Sequence, residues 1–270
     1  MLIQKLRQHE GPSVDDPSVD DPSVDDDSTR SSSPAPACDV MRSMYQLYIA
    51  NKNYSSWSLR PWVLMRTLDI PFEERLVPFE DASRWQEYRK ISPSGKVPCL
   101  IDAGRAIWDS LAIVEYLAER HGEVWPQDAP TRAWARSAAA EMHSGFTELR
   151  SRCSMNCGIR VRLKESPAAL TRDVRRIGTL WNDGLQRFGG PFLCGPKFTA
   201  VDAFFAPVAL RIQTYGLALD AQSAAYATRL LAVPAMREWY DDALEERGRD
   251  AAHEAEVLQL GEIVEDLRAR

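Results

Sequence analysis

The sequence predicts an α/β domain followed by an all-helical domain, which is an α/β plus all-α fold class. Apolar runs typical of strands alternate with helical patterns between residues 44 and 122. A linker containing a Trp-Pro pair follows at residues 122–130. Beyond it the apolar residues recur only at helical spacing. The two domains are therefore expected to span residues 44–122 and 128–262.

The composition is that of a globular chain with a substantial core. The chain has 270 residues, of which 44% are hydrophobic and 27% are charged, and its net charge is −6. An acidic balance provides no electrostatic footprint for nucleic acid. No apolar run reaches the roughly 18 residues that a membrane-spanning helix needs. Neither nucleic acid nor a membrane is therefore an expected partner.

Cysteine usage indicates a reducing compartment. The five cysteines are odd in number and form no CxxC pair, and the N-terminus has no apolar signal core. We therefore expect reduced thiols and a cytoplasmic location. Cys153 and Cys157 stand at the spacing of one helical turn, but no further Cys or His has metal-ligand spacing to them. A structural role is expected for both, and no metal site is predicted.

The first 43 residues are predicted to be a disordered extension. The motif Asp-Pro-Ser-Val-Asp occurs at Asp16–Asp20 and again at Asp21–Asp25, and a Ser/Pro-rich stretch follows at residues 28–36. Such an acidic, Ser/Pro-rich segment buries too little apolar surface to offset the entropy cost of ordering it.

The α/β domain is predicted to have the order βαβ followed by ββα. A strand at residues 45–50 and a polar break at 51–54 precede a helix whose start is marked by Ser55 and Ser56. The remaining predicted elements are a strand at 72–77, a short helical crossover at 84–90, a strand ending at Asp102, a tight turn at Ala103-Gly104, a strand at 106–108 and a helix opened by Asp109-Ser110.

The second domain is predicted to consist of helices alone. They lie at residues 131–155, 167–188, 199–214, 221–231 and 234–246, and a charged tail from residue 254 keeps helical spacing. Thr199 and Asp202 form a variant of the capping box, in which Thr199 caps the helix and Asp202 reaches back to the cap N–H. The helix they open is largely apolar, so we expect it at the centre of the domain.

Hydroxyl side chains at the start of the first helix are the first candidate functional groups. Ser55 or Ser56 can cap this helix by accepting a backbone N–H. The free N–H groups and the positive dipole end of a helix N-terminus stabilise a nearby anion. A thiolate is such an anion, and a serine hydroxyl that donates to it would lower the pKa of the thiol. The alternative is that the serines only cap the helix.

Two further motifs carry groups that complement the same ligand. Pro98, in Lys96-Val97-Pro98, is a candidate for a cis peptide bond, which would turn the Val97 N–H and C=O toward an extended peptide. Ser110 and its helix N-terminus can hold a carboxylate, and Asp109 can pair with an ammonium group. Thiol, peptide backbone, carboxylate and ammonium are together the groups of glutathione.

These motifs, in this order, resemble those of the glutathione S-transferase family. Residues 45–122 look like its thioredoxin-like N-terminal domain, and the helical remainder looks like its C-terminal domain. The stretch Ser55-Ser56-Trp57-Ser58 is similar to the Ser-Ser-x-Ser motif of serine-type bacterial members near the zeta class. One departure is Asp109-Ser110, where the family usually has Glu-Ser, whose acid is one methylene longer.

The resemblance implies an enzyme that activates the thiol of glutathione, its cosubstrate, for attack on a small electrophile. It implies that Ser55 is catalytic and hydrogen-bonds the sulfur, and that Val97 and cis-Pro98 bind the cysteinyl backbone. It also implies that Asp109 and Ser110 bind the γ-glutamyl end, while Lys96 is a candidate for contact with the glycine carboxylate. Since the family pairs its domains across a two-fold axis, a homodimer is implied as well.

Several alternatives stay open at this point. The chain can be a glutathione-dependent cis–trans isomerase of the maleylacetoacetate type, or a non-catalytic glutathione-binding protein with the transferase fold. Ser56 can replace Ser55 as the hydroxyl donor. Arg60, which follows Ser58 by two residues, can form a structural ion pair or stabilise the thiolate.

Overall fold

The computed structural model describes residues 44–268. The predicted extension, residues 1–43, lies outside the described residues, as do residues 269 and 270. None of the helices in the described range is both long and apolar enough to cross a membrane. The elements in chain order are β1 Tyr45–Ile49, α1 Ser56–Thr67, β2 Phe72–Leu76, α2 Ala82–Tyr88, β3 Cys99–Asp102, β4 Arg105–Trp108, α3 Ser110–Ala118, α4 Ala129–Ser144, α5 Thr147–Arg152, β5 Ile159–Leu163, α6 Ala168–Phe188, α7 Ala200–Tyr215, α8 Ala221–Leu231, α9 Pro234–Glu245, α10 Ala251–Leu260 and β6 Gly261–Asp266.

The first part of the chain has the predicted βαβ and ββα order around one mixed sheet. The strands stand in the order β2-β1-β3-β4, with β1 and β2 parallel and the other two pairings antiparallel. The two residues between β3 and β4, Ala103 and Gly104, have φ angles of 47° and 78°. Two successive positive φ angles match the right-handed twist of a hairpin, which confirms the predicted tight turn.

The helix α1 joins the sheet to the helices that follow. It packs against β1 and α3 in the first part of the chain, and against α7 and α9 in the second. Trp62, Leu64 and Met65 on α1 are fully buried. Because α1 is enclosed on all these sides, packing helps to fix the position of its first residues, together with the loop that precedes it.

The helix α7 lies at the centre of the helical part, as predicted. Its residues are buried along nearly the whole length, and it contacts α1, α4, α8 and β5. The predicted capping box is confirmed: both Thr199 and Asp202 make their reciprocal bonds to the backbone. Asp202 Oδ1 also accepts from the Leu193 N–H at 3.0 Å and from the Tyr226 hydroxyl at 2.7 Å. Burial raises the pKa of Asp202 to about 6, although these donors oppose the shift.

The prediction of one helix over residues 131–155 is wrong. The helix α4 ends at Ser144, Gly145 is extended, and Phe146 has a φ of 55° before α5 begins. A Cβ at Gly145 would lie 2.7 Å from the Glu141 carbonyl oxygen, so only glycine fits this close approach. Gly145 was the available signal, because glycine commonly terminates helices.

The description of the second part as helical alone also needs a correction. The strands β5 and β6 form a two-stranded antiparallel sheet, in which Val161 stands opposite Ile263. The tail is therefore a helix, α10, followed by a strand, and not a helix throughout. The alternation Ile-Arg-Val-Arg-Leu in β5 was a strand signal, since Ile159 and Val161 are buried and Arg162 is exposed.

The buried carboxylate of Asp202 should be the costlier of two helix caps to remove. Asp202→Ala is expected to lower the free energy of unfolding by roughly 3 kcal/mol, because buried backbone N–H groups and the Tyr226 hydroxyl lose their acceptor. Asp220→Ala is the control: Asp220 caps α8 at the surface, and its loss should cost roughly 1 kcal/mol. Denaturant unfolding of both variants measures the difference, and equal losses would contradict this account.

Candidate active site

Serine hydroxyls tie the start of α1 to the end of β1. Ser55 is the N-cap of α1: its Oγ accepts from the Ser58 N–H at 3.4 Å and donates to the Ser58 Oγ at 2.7 Å. The Ser58 Oγ also accepts from the Ala50 N–H at 3.3 Å. Ser55 is 5% exposed and Ser56 is 8% exposed. The N-terminus of α1 and the hydroxyl groups of Ser55 and Ser56 therefore lie together at a nearly buried position, where they can stabilise an anion.

The Val97–Pro98 peptide bond is cis, as predicted. The Lys96 carbonyl is held by the Tyr88 hydroxyl, which donates to it at 2.6 Å, and by the Ser92 hydroxyl at 3.3 Å. The pairing of β3 with β1 begins only at Cys99, so the Val97 backbone lies outside the sheet ladder. Val97 is half-buried, and the Lys96 side chain is exposed.

The start of α3 contains an unusual backbone residue followed by an unpaired hydroxyl. Asp109 is the N-cap with a φ of 76°, and its Oδ1 accepts from the Leu111 N–H at 2.8 Å. Ser110, the next residue, is fully buried, and its Oγ has no hydrogen-bond partner among the described residues. Since buried polar atoms are rarely left unpaired, this oxygen fits a role in holding a ligand.

A cavity of about 350 Å³ opens at the N-terminus of α1. Four predicted site residues, Ser55, Ser56, Lys96 and Val97, line it together. The other lining residues are Tyr54, Trp57, Phe79, Trp85, Arg150, Ser154, Met155, Arg211, His253 and Glu256. The lining thus combines an apolar portion with several cationic side chains.

Three of the predicted site residues, Pro98, Asp109 and Ser110, are not in the lining of this cavity. Asp109 is nevertheless linked to its wall: its Oδ2 lies 3.6 Å from the His143 Nε2, and the His143 ring packs against Trp57 with centroids 5.2 Å apart. Burial lowers the pKa of His143, which opposes the effect of the Asp109 charge, so the contact is one with a neutral imidazole at neutral pH.

Arginine side chains form the positive part of the site. Arg211 is 4% exposed and donates to the Ser56 Oγ at 3.2 Å. Arg60 is 1% exposed and stacks on Trp57, with 4.2 Å between the guanidinium carbon and the ring centroid. The structural ion pair considered for Arg60 is not found in the range 44–268, where its Nε and Nη1 atoms are buried without a partner.

The C-terminal segment closes one side of the cavity. The Tyr54 hydroxyl donates to Glu254 on α10 at 2.8 Å, and the Tyr54 ring stacks on His253 with centroids 4.9 Å apart. Arg268 binds the same Glu254 and also Asp266. Of the polar break at residues 51–54, Tyr54 lines the cavity and the other three residues do not.

The cysteine thiols of the described residues are not candidates for the nucleophile. Burial raises the pKa of Cys99 to about 11, and that of Cys153, Cys157 and Cys194 to about 12. Cys153 follows the end of α5, so the prediction that Cys153 and Cys157 lie one turn apart on the same helix is wrong. Residues 44–268 contain no cluster of three or more His, Cys, Asp or Glu side chains that could hold a metal.

Sequence reasoning missed several residues of the cavity wall, chiefly Arg150, Arg211, His253 and Glu256. Arg211 had a detectable signal, because it is a single cation in the largely apolar stretch that forms α7. Arg150 and the two residues of α10 had none, since charged residues there are equally typical of a solvated helix face.

Two family models match this chain. The model of the glutathione S-transferase N-terminal domain matches residues 54–120, and that of the C-terminal domain matches residues 132–242. The chain belongs to the glutathione S-transferase family. The two matches together span most of the described residues.

Individual members of the transferase family are distant relatives of this chain. A glutathione S-transferase-like protein, OpS6, of Beauveria bassiana is 28% identical over 174 residues, which are 60% of this chain and 76% of the relative. A probable maleylacetoacetate isomerase of Caenorhabditis elegans is 32% identical over 105 residues, which are 38% of this chain and 48% of that protein.

Comparison with solved structures confirms the predicted fold class. A glutathione transferase homolog from Burkholderia, solved with bound glutathione, has a TM-score of 0.55 at 22% identity, over 74% of this chain and 98% of its own. A diazinon-metabolizing transferase of the silkworm Bombyx mori has a TM-score of 0.59 at 17% identity, over 74% and 97%. The shared fold is a thioredoxin-like N-terminal domain followed by a helical C-terminal domain.

Proposed function

We propose that this protein is a glutathione transferase that activates the thiol of glutathione for attack on a small electrophile. One observation carries the proposal: the nearly buried Ser55 hydroxyl caps α1 in the same cavity as Ser56, Lys96 and Val97. We place the protein with the serine-type bacterial members near the zeta class. The division into residues 44–122, which bind glutathione, and 128–262, which line the electrophile site, is part of the proposal.

In this mechanism Ser55 holds the sulfur of glutathione as a thiolate. The Ser55 hydroxyl donates to Ser58, and the Ser58 Oγ already accepts from the Ala50 N–H. The hydroxyl pair can therefore reverse, so that Ser58 donates to Ser55 and the Ser55 proton turns to the sulfur. A charge-assisted hydrogen bond and the helix N-terminus both favour the thiolate, which is the attacking nucleophile.

The rest of glutathione is assigned to the two remaining motifs. Val97, whose backbone lies outside the sheet ladder, pairs with the cysteinyl backbone beside cis-Pro98. Lys96 is assigned to the glycine carboxylate. Asp109 and Ser110 are assigned to the ammonium and carboxylate of the γ-glutamyl end, and the unpaired Ser110 Oγ supports this role. Binding both reactants in one cavity supplies proximity in addition to thiolate formation.

A second candidate is the glutathione-dependent cis–trans isomerisation of a maleyl-type double bond. It is favoured by the relative that is named as a probable maleylacetoacetate isomerase. Addition of glutathione, bond rotation and loss of glutathione would use the same thiolate, so glutathione is not consumed. Conversion of such a substrate without loss of free thiol would identify the isomerase. Retention on immobilised glutathione without turnover of any electrophile would indicate the non-catalytic, glutathione-binding alternative.

Homodimer formation and a cytoplasmic location complete the proposal. Trp108 at the end of β4 is 46% exposed and lies beside Ile107 and Leu111 in an apolar cleft. An exposed aromatic patch of this kind is typical of an interface, and two-fold dimers are the commonest soluble oligomers. The four cysteines of the described part are free thiols, which is consistent with a reducing compartment.

The Ser55 assignment is tested with two single substitutions. Ser55→Ala should leave the fold intact, with a loss of about 1 kcal/mol for the cap, and glutathione should still bind. The pKa of the bound thiol should rise, because the thiolate loses its hydrogen bond. Turnover at pH 7 should then fall about tenfold for each unit by which this pKa rises. The pH–rate profile therefore moves to higher pH.

Ser56→Ala is the matched control, since Ser56 is equally buried and one residue away. Thiolate absorbance of bound glutathione, titrated in both variants, reports the pKa directly. If Ser56→Ala raises this pKa and Ser55→Ala does not, the donor is Ser56.

Ser110→Ala should affect binding and stability in opposite directions. Glutathione affinity is expected to fall at least about tenfold, because a hydrogen bond to a carboxylate is lost. Stability should be unchanged or slightly higher, since an unpaired buried hydroxyl is removed. Ser223→Ala is the control: this buried serine donates to the Gly178 carbonyl and to Asp220, so its loss should lower stability and spare glutathione binding. Calorimetric titration and thermal unfolding measure the two effects.

Trp108→Glu should dissociate the proposed homodimer. An interface tryptophan typically contributes at least about 2 kcal/mol, and a two-fold axis counts it twice, so the dissociation constant should rise about a thousandfold. Leu258→Glu on α10 is the control, because Leu258 is 56% exposed and its helix packs against β6. Light scattering at micromolar concentration should give one chain mass for Trp108→Glu and two for the control. A monomeric wild type would refute the dimer.

A further inference from the structure

Three guanidinium groups from three helices lie close to Ser56 and Trp57 at the start of α1. They belong to Arg60 on α1, Arg150 on α5 and Arg211 on α7, and we refer to them as the cationic cluster. The guanidinium carbons of Arg60 and Arg150 lie 4.2 Å and 4.5 Å from the ring centroid of Trp57. Arg150, Arg211 and Trp57 line the cavity itself.

The charge of the cationic cluster is not matched by protein carboxylates. None of its three members forms an ion pair with Asp or Glu in residues 44–268. Arg150 donates to the carbonyl of His143, and Arg211 donates to that of Cys153 and to Ser56. Arg60 has two buried nitrogen atoms without any partner.

Neighbouring charges act on Arg60 in the same direction as its burial. Burial is the largest cause that lowers the pKa of Arg60 well below its usual range, and the charges of Arg150 and Arg211 lower it further. Asp109 opposes this shift. Glu256, the acid in the cavity lining, is exposed on α10, and Glu254 beside the cavity is paired with Arg268. Unpaired charges buried in a cleft are costly to the fold and are characteristic of binding sites.

We propose that the cationic cluster binds a carboxylate group carried by the electrophile, so that the second substrate is an anionic molecule with an apolar body. The inference rests on the proposed function and adds the substrate class to it. The carboxylates of glutathione are already assigned to Lys96 and to Ser110. An apolar body is accommodated by Phe79, Trp85 and Met155 in the same cavity.

Arginine suits this role better than lysine would. A guanidinium group presents parallel N–H donors that match the two oxygens of a carboxylate. Stacking on Trp57 keeps the planes of Arg60 and Arg150 in place, so little side-chain entropy is lost when the anion binds.

The test uses two electrophiles with the same reactive carbon, 4-chloro-3,5-dinitrobenzoate and its methyl ester. In both, the thiolate forms a C–S bond at the ring carbon that bears chlorine, and chloride leaves with the bonding electron pair. The ester withdraws electrons from the ring more strongly and reacts faster with any thiolate, so each kcat/KM is divided by the rate constant of the uncatalysed reaction with glutathione. On this scale the wild-type protein should prefer the carboxylate. Arg150→Gln should lower kcat/KM at least about tenfold more for the carboxylate than for the ester.

Arg152→Gln is the matched control, because it removes the same charge from the same helix at a residue that pairs with Glu148 and does not line the cavity. This control should leave the preference for the carboxylate intact. Arg150→Lys keeps the charge but lacks the parallel N–H donors of a guanidinium group, so it should retain part of the preference that Arg150→Gln loses. Thermal unfolding of each variant shows that it is folded.

Binding of 3,5-dinitrobenzoate, measured by calorimetry with and without glutathione, separates this inference from the proposed function. Saturable binding that Arg150→Gln weakens supports the inference even if no electrophile is turned over. Turnover of the ester with no preference for the carboxylate in the wild type would overturn the inference and leave the transferase assignment standing. An equal loss for both electrophiles in Arg150→Gln would also overturn it, because the cluster would then act on the thiolate alone.

Discussion

The buried polar loop between β1 and α1 is the constraint on which the site depends. Its backbone N–H groups at Lys52 and Asn53 both donate to Glu246, after the end of α9, and the Lys52 carbonyl accepts from the Trp239 indole N–H at 2.9 Å. The Asn53 side chain accepts from the Gly158 N–H, just before β5. A buried loop must have its backbone groups paired, and here the partners come from the helical part of the chain.

This pairing makes the two parts of the chain interdependent. The loop delivers the Ser55 cap to the start of α1, while α1 itself is enclosed by the sheet, α7 and α9. Burial raises the pKa of Glu246, but the Lys52 charge and the two backbone donors oppose that shift, so the carboxylate acts as the anchor of the loop. The hydroxyl that is assigned to the thiolate therefore sits at the junction between the two parts, where a cavity between them can receive a second substrate.

The polarity of the cavity is unequal around its wall. The wall nearest Val97 offers backbone groups beside the cis bond, which suit a peptide. Arg150 and Arg211, which belong to the helical part of the chain, contribute positive charge to the cavity. The C-terminal segment completes the enclosure through the bond from Tyr54 to Glu254. A carboxylate that reached the buried Arg211 would be partly removed from water, and charge pairing is stronger there than at an exposed surface.

The sequence by itself determined the features that depend on residues within about one turn of each other. The Ser55 cap, the Ala103-Gly104 turn and the Thr199 capping box were all predictable, because each is set by local hydrogen bonds and backbone preferences. The cis bond before Pro98 was predictable only through its family context. The order of strands and helices between residues 44 and 122 followed from the same local patterns.

Only the tertiary structure decided which of these local features share a cavity. The cationic cluster joins residues from α1, α5 and α7, and β6 pairs with β5 across the five helices α6 to α10. Such contacts depend on how distant elements pack. A charged residue that is buried in the folded protein has the same local sequence pattern as one on a solvated face. For that reason Arg60 was recognised as a candidate beside Ser58, while its unpaired burial and its neighbours Arg150 and Arg211 emerged only from the fold.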